Sequence, residues 1–321
     1  MRYLIFKSIN LLVAWIPTPI LNRLLRSLYL QPKIADRTGY TIYPQVFYNP
    51  FPIQSEVDLE KLKQKRDLPG VKFNLPLADE LLQKQARYAG EINEFIKNRK
   101  GNIQAWNITY PVTDSAICYS MLRDIKPKRY IEVGCGFSSN CSAAALHQNA
   151  SEGHPCKATY IDPYPSPHLS NVNLPGEFVK ERVENIPLSV FKELEAGDVL
   201  FIDTSHVIKV QNDVEYVLIH VLTSLKPGVI VHVHDIFSPY DYPADWLVGE
   251  GSNRGGNNEQ YALECFLSGG DAWEVTMPLH LLWRDKNPLL KKIVDDDHRP
   301  AAIWIQRTPT RSEPLTNAPM Q

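Results

Sequence analysis

The sequence contains no Cys-x-x-Cys pair, and its five cysteines (Cys118, Cys135, Cys141, Cys156 and Cys265) are an odd number. In a chain of 321 residues this argues against a disulfide framework or a structural zinc site, and it reads as reduced, mostly buried thiols in a cytoplasmic protein. No charge of one sign dominates. The 34 Lys and Arg against 36 Asp and Glu leave a formal net charge of −2, which argues against a nucleic-acid partner. Glycine is scarce at 16 residues against 25 prolines, so the loops are stiff and not linker-like. There is no internal repeat. The Asn107-Ile-Thr109 and Asn149-Ala-Ser151 triplets match a glycosylation pattern that carries no meaning in a cytoplasmic protein.

An uninterrupted apolar run long enough to cross a bilayer, roughly 20 residues, is also missing. Residues 1–33 come nearest. Apolar residues dominate from Leu4 to Leu30, but Lys7 interrupts them, Pro17 and Pro19 break them, and no small-residue cleavage site follows. The segment carries Arg2, Lys7, Arg23, Arg26 and Lys33, and the first acid is Asp36. Short helices packed on the main domain, a basic amphipathic segment making a peripheral membrane contact, and a true span are the three fates open to it.

Residues 1–75, punctuated by Pro32, Pro44, Pro50, Pro52 and Pro69, read as an irregular appendage, residues 76–308 as the main domain, and residues 309–321 as a disordered tail. The pattern predicts a long amphipathic helix over Leu77–Lys100 and a second over Pro111–Leu122 capped by Thr113 or Asp114. From Tyr130 onward short apolar runs alternate with helical stretches. Strands are expected at Tyr130–Val133, Lys157–Ile161, Phe178–Val183, Asp198–Ile202 and Val229–Val233. Helices are expected at Ser138–Gln148, Leu188–Leu194, Val210–Leu225 and Asn258–Ser268. Trp273–Leu282 and Ala301–Gln306 supply two final strands. The alternation predicts an α/β fold: a Rossmann-like, doubly wound, mostly parallel seven-stranded sheet. Such sheets bind ligands beyond the carboxyl ends of their strands. Four of the first five strands end on Gly134, Asp162, Asp203 and the pair His234-Asp235.

Glu132-Val-Gly-Cys-Gly-Phe-Ser138 sits at a strand-to-helix turn, where Gly134 and Gly136 allow a tight turn and a close approach to a ligand. A dinucleotide fingerprint begins the same way, but here an acid, Glu132, precedes the first glycine and Ser138 stands near the place of the third. Asp162, ending the next strand, is placed to accept hydrogen bonds from two ribose hydroxyls. In order and spacing, Tyr130-Ile-Glu-Val-Gly-Cys-Gly136, Tyr160-Ile-Asp162 and Asp198-Val-Leu-Phe-Ile-Asp203 resemble the first, second and fourth motifs of class I S-adenosylmethionine (SAM) dependent methyltransferases, over roughly residues 110–306. The resemblance implies SAM as cofactor. Glu132, Gly134, Gly136 and Ser138 would line its methionine side, Asp162 its ribose, and Asp203 would also face it.

Asp203-Thr-Ser-His206 and His232-Val-His-Asp235 end adjacent expected strands and place Asp203, His206, His234 and Asp235 around one crevice. Carboxylates with imidazoles can hold a divalent cation, and a hydroxyl beside such a cation acidifies. The arrangement is similar to that of metal-dependent sugar O-methyltransferases, with His234 where those have a carboxylate. It implies magnesium or manganese on Asp203, His234 and Asp235, with His206 as general base beside Asp203. His232, still inside its strand, reads as a core histidine. Ser238–Arg254, with Tyr240, Tyr242 and Trp246, reads as a lid or acceptor-binding loop, with core packing of Trp246 as the alternative. The expected acceptor is a hydroxyl on a small molecule or glycan. A SAM- or nucleoside-binding protein without transferase activity, and a NAD-dependent oxidoreductase, are the competing functions. Nothing in the sequence sets the oligomeric state.

Overall fold

The computed structural model describes residues 15–29, 51–100, 110–248, 256–295 and 298–309, with isolated positions between 33 and 44. Helix α1 is Thr18–Tyr29. Among the described residues, a single helical turn at Leu59–Leu62 and three longer helices then precede the sheet: α2 (Leu75–Gln85), α3 (Ala89–Lys100) and α4 (Val112–Ile125). Strand β1 (Arg129–Val133) leads through the glycine loop into α5 (Phe137–Ser151), and β2 is Lys157–Ile161. Next come β3 (Gly176–Val179), α6 (Leu188–Lys192) and β4 (Val199–Ile202). Helix α7 starts at Asp213–Tyr216, passes through a π turn at Val217–Val221 and ends at Leu222–Ser224. The chain finishes with β5 (Ile230–His234), α8 (Glu259–Ser268), β6 (Trp273–Pro278), α9 (Leu279–Arg284), α10 (Pro288–Ile293) and β7 (Ala302–Arg307).

The strands form one seven-stranded sheet in the order β3-β2-β1-β4-β5-β7-β6. Neighbours from β3 through β5 pair in parallel, and β7 runs antiparallel to both β5 and β6. This is the Rossmann-like architecture that the alternation predicts, extended by one reversed strand.

Side-chain period two decides which helices cover which face. Tyr130, Ala158, Tyr160, Val199, Phe201, Met277, Ala302 and Trp304 point to the face covered by α2, α3, α4, α5, α9 and α10. Ile131, Val133, Ile161, Leu200, Ile202, Val231, Val233, Ile303 and Ile305 point to the face covered by α6, α7 and α8. Because both faces are buried, β4 is apolar along its whole length, and all four of its residues are buried. Full burial of a side chain such as Phe201 is worth about 1.5–3 kcal/mol.

Residues 66–74, within the expected appendage, line the outer edge of the sheet. Phe73 bridges Val275 in parallel, and Val275 N–H donates to the Lys72 carbonyl at 2.7 Å. An exposed sheet edge is thereby covered. The Arg66 guanidinium donates to both carboxylate oxygens of Glu264 on α8, at 2.8 and 2.5 Å.

Several boundaries differ from the sequence expectation. The long helix expected over Leu77–Lys100 divides at a 3-10 turn, Ala86–Tyr88. Helix α4 has Pro111 at its N-cap, with no side-chain cap, so Thr113 and Asp114 lie inside the helix. Strand β3 starts at Gly176, where an added Cβ would lie 2.1 Å from the Ala158 carbonyl oxygen, and Val183 is buried in a separate turn. The run Trp273–Leu282 is a strand only to Pro278 and then becomes α9. Helix α10 was not expected, although Asn287 caps it by accepting from the Leu289 and Leu290 N–H groups. All five cysteines are free. No helix among the described residues is long and apolar enough to cross a membrane.

Candidate active site

The glycine loop packs directly on the end of β4. Gly134 has φ +81°, and a Cβ there would sit 1.8 Å from the Asp203 carbonyl oxygen, so no other residue fits without moving the backbone. Its N–H donates to the Ile161 carbonyl at 2.9 Å, and Asp203 N–H donates to the Val133 carbonyl at 2.8 Å. These two bonds fix the ends of β1, β2 and β4 together. Gly136 is different, since a Cβ there would meet nothing within 4 Å. Its open side leaves room for a ligand against the backbone.

Glu132 lies behind this loop and is fully buried. Ser138 and Ser139 hydroxyls donate to its Oε1 at 2.8 and 2.7 Å, and Tyr130 and Ser142 hydroxyls donate to Oε2 at 2.7 and 2.8 Å. A carboxylate offers about four acceptor positions, and all are taken. Burial pushes the Glu132 carboxyl up from its ordinary value, against the four hydroxyls that favour its charge. Glu132, expected to line the methionine side of the cofactor, ties β1 to the first turns of α5, and Ser138 donates to the same carboxylate.

Asp162 has the opposite character. Its Oδ2 accepts from Cys135 N–H at 2.8 Å and its Oδ1 from Tyr164 N–H at 2.6 Å. Two acceptor positions remain, which suits a pair of ribose hydroxyls. A crevice of about 350 Å³ opens here, lined by Gly134, Asp162, Tyr164, Arg182, Asp203 and Asp213 among others. It lies beyond the carboxyl ends of β1, β2 and β4, at the switch in strand order. Open glycine backbone, an acid with spare acceptors and a crevice of this size fit a nucleoside cofactor such as SAM.

Asp203 also belongs to a second cluster. His206 Nε2 lies 3.2 Å from Asp203 Oδ1 and 3.1 Å from Asp235 Oδ2. Asp203, His206 and Asp235 each offer a ligand atom, and these atoms lie within 4.8 Å of one another. His206 Nδ1 faces Glu259 Oε2 at 2.9 Å, and Thr204 Oγ1 donates to Glu259 Oε1 at 2.8 Å. Glu259 therefore keeps the proton on Nδ1 and turns Nε2 toward the carboxylates. The backbone is bent to achieve this. His206 and Asp235 both have positive φ, +60° and +58°, and the His206 carbonyl accepts from the Asn258 and Glu259 N–H groups at 3.0 and 3.2 Å. Left-handed backbone at such residues costs of order 1–3 kcal/mol and persists only where surrounding bonds hold it.

His234 lies beneath the cluster. It is 1% exposed, and its Nδ1 is 3.6 Å from Asp203 Oδ1 and 3.4 Å from Asp235 Oδ1. Its Nε2 has no hydrogen-bond partner among the described residues. Burial opposes its charge, but Asp235 and Asp203 raise its pKa to about 9. Burial would lift Asp203, yet His234 and His206 hold it well below the usual carboxylate range. His206 is raised despite burial by hydrogen bonds to Asp203 and Glu259, whereas burial keeps Asp235 above its ordinary value. His232 is a core histidine, stacked on Phe201 with centroids 4.2 Å apart, and burial pushes its pKa well down. Neither of its ring nitrogens has a partner among the described residues.

Glu259 went unnoticed in the sequence. It is 53 residues from His206 and reads there as an ordinary acid in a helix first turn. The aromatics of the expected lid are not free for an acceptor. Tyr240 and Tyr242 are buried, Tyr242 stacks on Trp246, and Phe237, Tyr242 and Leu247 form a small core. Residues 249–255 of that segment lie outside the described residues.

The plantazolicin methyltransferase BpumL in complex with SAH is similar to this chain at 14% identity, with 73% of this chain and 99% of that one covered and a TM-score of 0.35. CalS11, a TDP-rhamnose 3'-O-methyltransferase in calicheamicin biosynthesis, is similar at 14% identity, with 75% and 99% covered and a TM-score of 0.36. A protein of Thermobifida fusca YX assigned as a methyltransferase is similar at 15% identity, with 76% and 97% covered and a TM-score of 0.37. No curated protein matches the chain. Residues 131–236, from β1 through the end of β5, match the family described as a methyltransferase domain.

Proposed function

We propose that the chain methylates a hydroxyl on a small molecule or glycan, assisted by a divalent cation held by Asp203, His206 and Asp235. The observation that carries this reading is His206 Nε2 set between two carboxylates, at 3.2 and 3.1 Å, with Nδ1 anchored on Glu259. Bound SAM supplies an electrophilic methyl group on a sulfonium sulfur. A bound magnesium or manganese ion lowers the pKa of a neighbouring hydroxyl.

The chain's residues divide the remaining work. Asp162 accepts from the ribose, Gly134 and Gly136 bring backbone up to the cofactor, and Glu132 with Ser138 stiffens the loop. Asp203 borders both the cofactor crevice and the carboxylate cluster, so an acceptor oxygen held at the cluster would lie beside a methyl donor bound in the crevice. His234, expected at the sequence level as a ligand, suits a buried positive charge that holds Asp203 and Asp235 in place. His206 takes the ligand position instead.

A second reading rests on the His206–Glu259 pair. An imidazole whose Nδ1 donates to a carboxylate is oriented as a general base through Nε2, the role expected from the sequence. The two readings separate in one assay of methyl transfer from labelled SAM to a hydroxyl-rich metabolite or glycan extract. The cation reading expects activity to vanish in excess chelator and to return with magnesium or manganese. Full activity in chelator, with His206→Ala still impaired by about 10²–10⁴-fold, overturns the cation and keeps the base. Full activity of a folded His206→Ala protein overturns both.

A further inference from the structure

The strongest feature that the methyltransferase reading leaves unused is α1. Its apolar residues Ile20, Leu21, Leu24, Leu25 and Leu28 recur at the spacing that places them along one side of a helix, and Asn22, Arg23, Arg26 and Ser27 fall on the other. No residue of α1 is buried. Ile20 is 59% exposed, Leu24 50%, and Trp15, just before the helix, 84%. A contiguous apolar stripe of this kind signals an interaction surface, whereas single exposed leucines do not.

Charge selects the partner. Within α1 every charged residue is basic, and neither Arg23 nor Arg26 has an ion-pair partner among the described residues. The sequence before Asp36 adds Arg2, Lys7 and Lys33 and no acid. At about 1.5 Å per residue, twelve residues span about 18 Å, too short for the roughly 30 Å of a bilayer core. A helix with these properties lies in the plane of a membrane surface, its leucines among the acyl chains and its arginines among the headgroups.

We propose that α1 docks the enzyme on an anionic lipid bilayer. The inference is independent of what the acceptor is, since α1 contributes no residue to the cofactor crevice or the carboxylate cluster.

Co-sedimentation of the full chain with vesicles of phosphatidylcholine alone, and with roughly a third phosphatidylglycerol, tests it. The full chain should pellet with the anionic vesicles, and much less with the neutral ones, at 0.1 M salt, and should be released toward 1 M salt, where the screening length falls to about 3 Å. Arg23→Gln with Arg26→Gln should weaken binding about thirtyfold, from about 1 kcal/mol per basic residue near the surface. Leu24→Glu with Leu25→Glu should abolish it while SAM affinity stays unchanged. No binding to anionic vesicles at low salt, or undiminished binding of the leucine variant, would overturn the proposal. A lowered melting temperature or a dissociated oligomer in the leucine variant would overturn it as well, by assigning the face to the chain's own core or to a second copy.

Discussion

Replacing Gly134 by alanine tests whether the glycine loop is held by contact with β4. The new Cβ would lie 1.8 Å from the Asp203 carbonyl oxygen, so one of the two backbones must retreat by about an ångström. Retreat of the loop breaks the Gly134 N–H bond to Ile161, and retreat of β4 breaks the Asp203 N–H bond to Val133. Holding alanine at φ +81° adds roughly 1–2 kcal/mol, and forced overpacking roughly 1–3 kcal/mol. The sum, about 2–5 kcal/mol, should lower the melting temperature by on the order of 5–15 °C in differential scanning calorimetry. SAM affinity by isothermal titration should fall with it, because both sides of the crevice shift. Gly136→Ala is the matched control. Its Cβ meets nothing within 4 Å, so its melting temperature should stay at the wild-type value and any effect should be confined to SAM affinity. A Gly134→Ala protein that melts with the wild type would refute the steric argument.

Asp162→Ala should weaken SAM binding by about 1–3 kcal/mol in titration calorimetry, the scale for a polar ligand group left without its acceptor. Unchanged affinity in a folded variant would remove Asp162 from the ribose. Glu259→Gln should lower methyl transfer, or the affinity for a supporting cation, about 10–100-fold with SAM affinity intact, as for other groups that orient a ligating imidazole. Steady-state rates across a magnesium titration measure this, and wild-type rates throughout would show that the Nδ1 anchor is dispensable. The last concerns acid stability. Hydrogen bonds from Arg123, and then from Gln148, hold the Glu152 carboxyl down at about 2, and Glu91 is also lowered by Arg123. A carboxyl whose folded value is depressed stabilises the fold above its unfolded value, about 4.3, and loses that contribution as pH falls toward the folded value. The gap in melting temperature between wild type and Glu152→Gln should therefore be full at pH 6 and close as pH drops from about 4.3 toward 2. A gap independent of pH would mean that the pairing contributes nothing.

The sheet was legible in the sequence because its central strands are buried on both faces, so four of the first five appear as apolar runs with a polar or glycine stop. Gly134, Asp162, Asp203 and the His234-Asp235 pair all lie at those stops, and the structure brings them to one rim. What was hidden depends on distance along the chain. Glu259 reaches His206 only because the N-terminus of α8 folds back onto the loop after β4, and no local pattern announces that. The commitment of Glu132 was partly visible. Ser138, Ser139 and Ser142 share one helix face below it, yet hydroxyls on an Ala- and Ser-rich helix read as filler until their donors are counted. The stacking of Tyr242 on Trp246 was open in the sequence, because aromatics in a Pro- and Gly-rich loop look the same whether they face an acceptor or a satellite core.

The reversed direction of β7 has a consequence for how such an enzyme diverges. In a purely parallel sheet, only the loop following each strand reaches the ligand rim. Because β7 runs backwards, the loop preceding it also arrives there: Ala302 pairs with His234, Ile236 N–H donates to the Ala301 carbonyl, and His280 Nδ1 lies 3.1 Å from the Pro300 carbonyl. The described residues that lead from α9 into β7 thus rejoin the sheet beside His234 and Ile236, on the other side of β4 from the β2 and β3 side of the cofactor crevice. If the acceptor binds at the carboxylate cluster as proposed, insertions and substitutions in that excursion would recast the acceptor while the cofactor half keeps its fit. Chimaeras that exchange only this excursion between related enzymes are therefore the natural route to new acceptors.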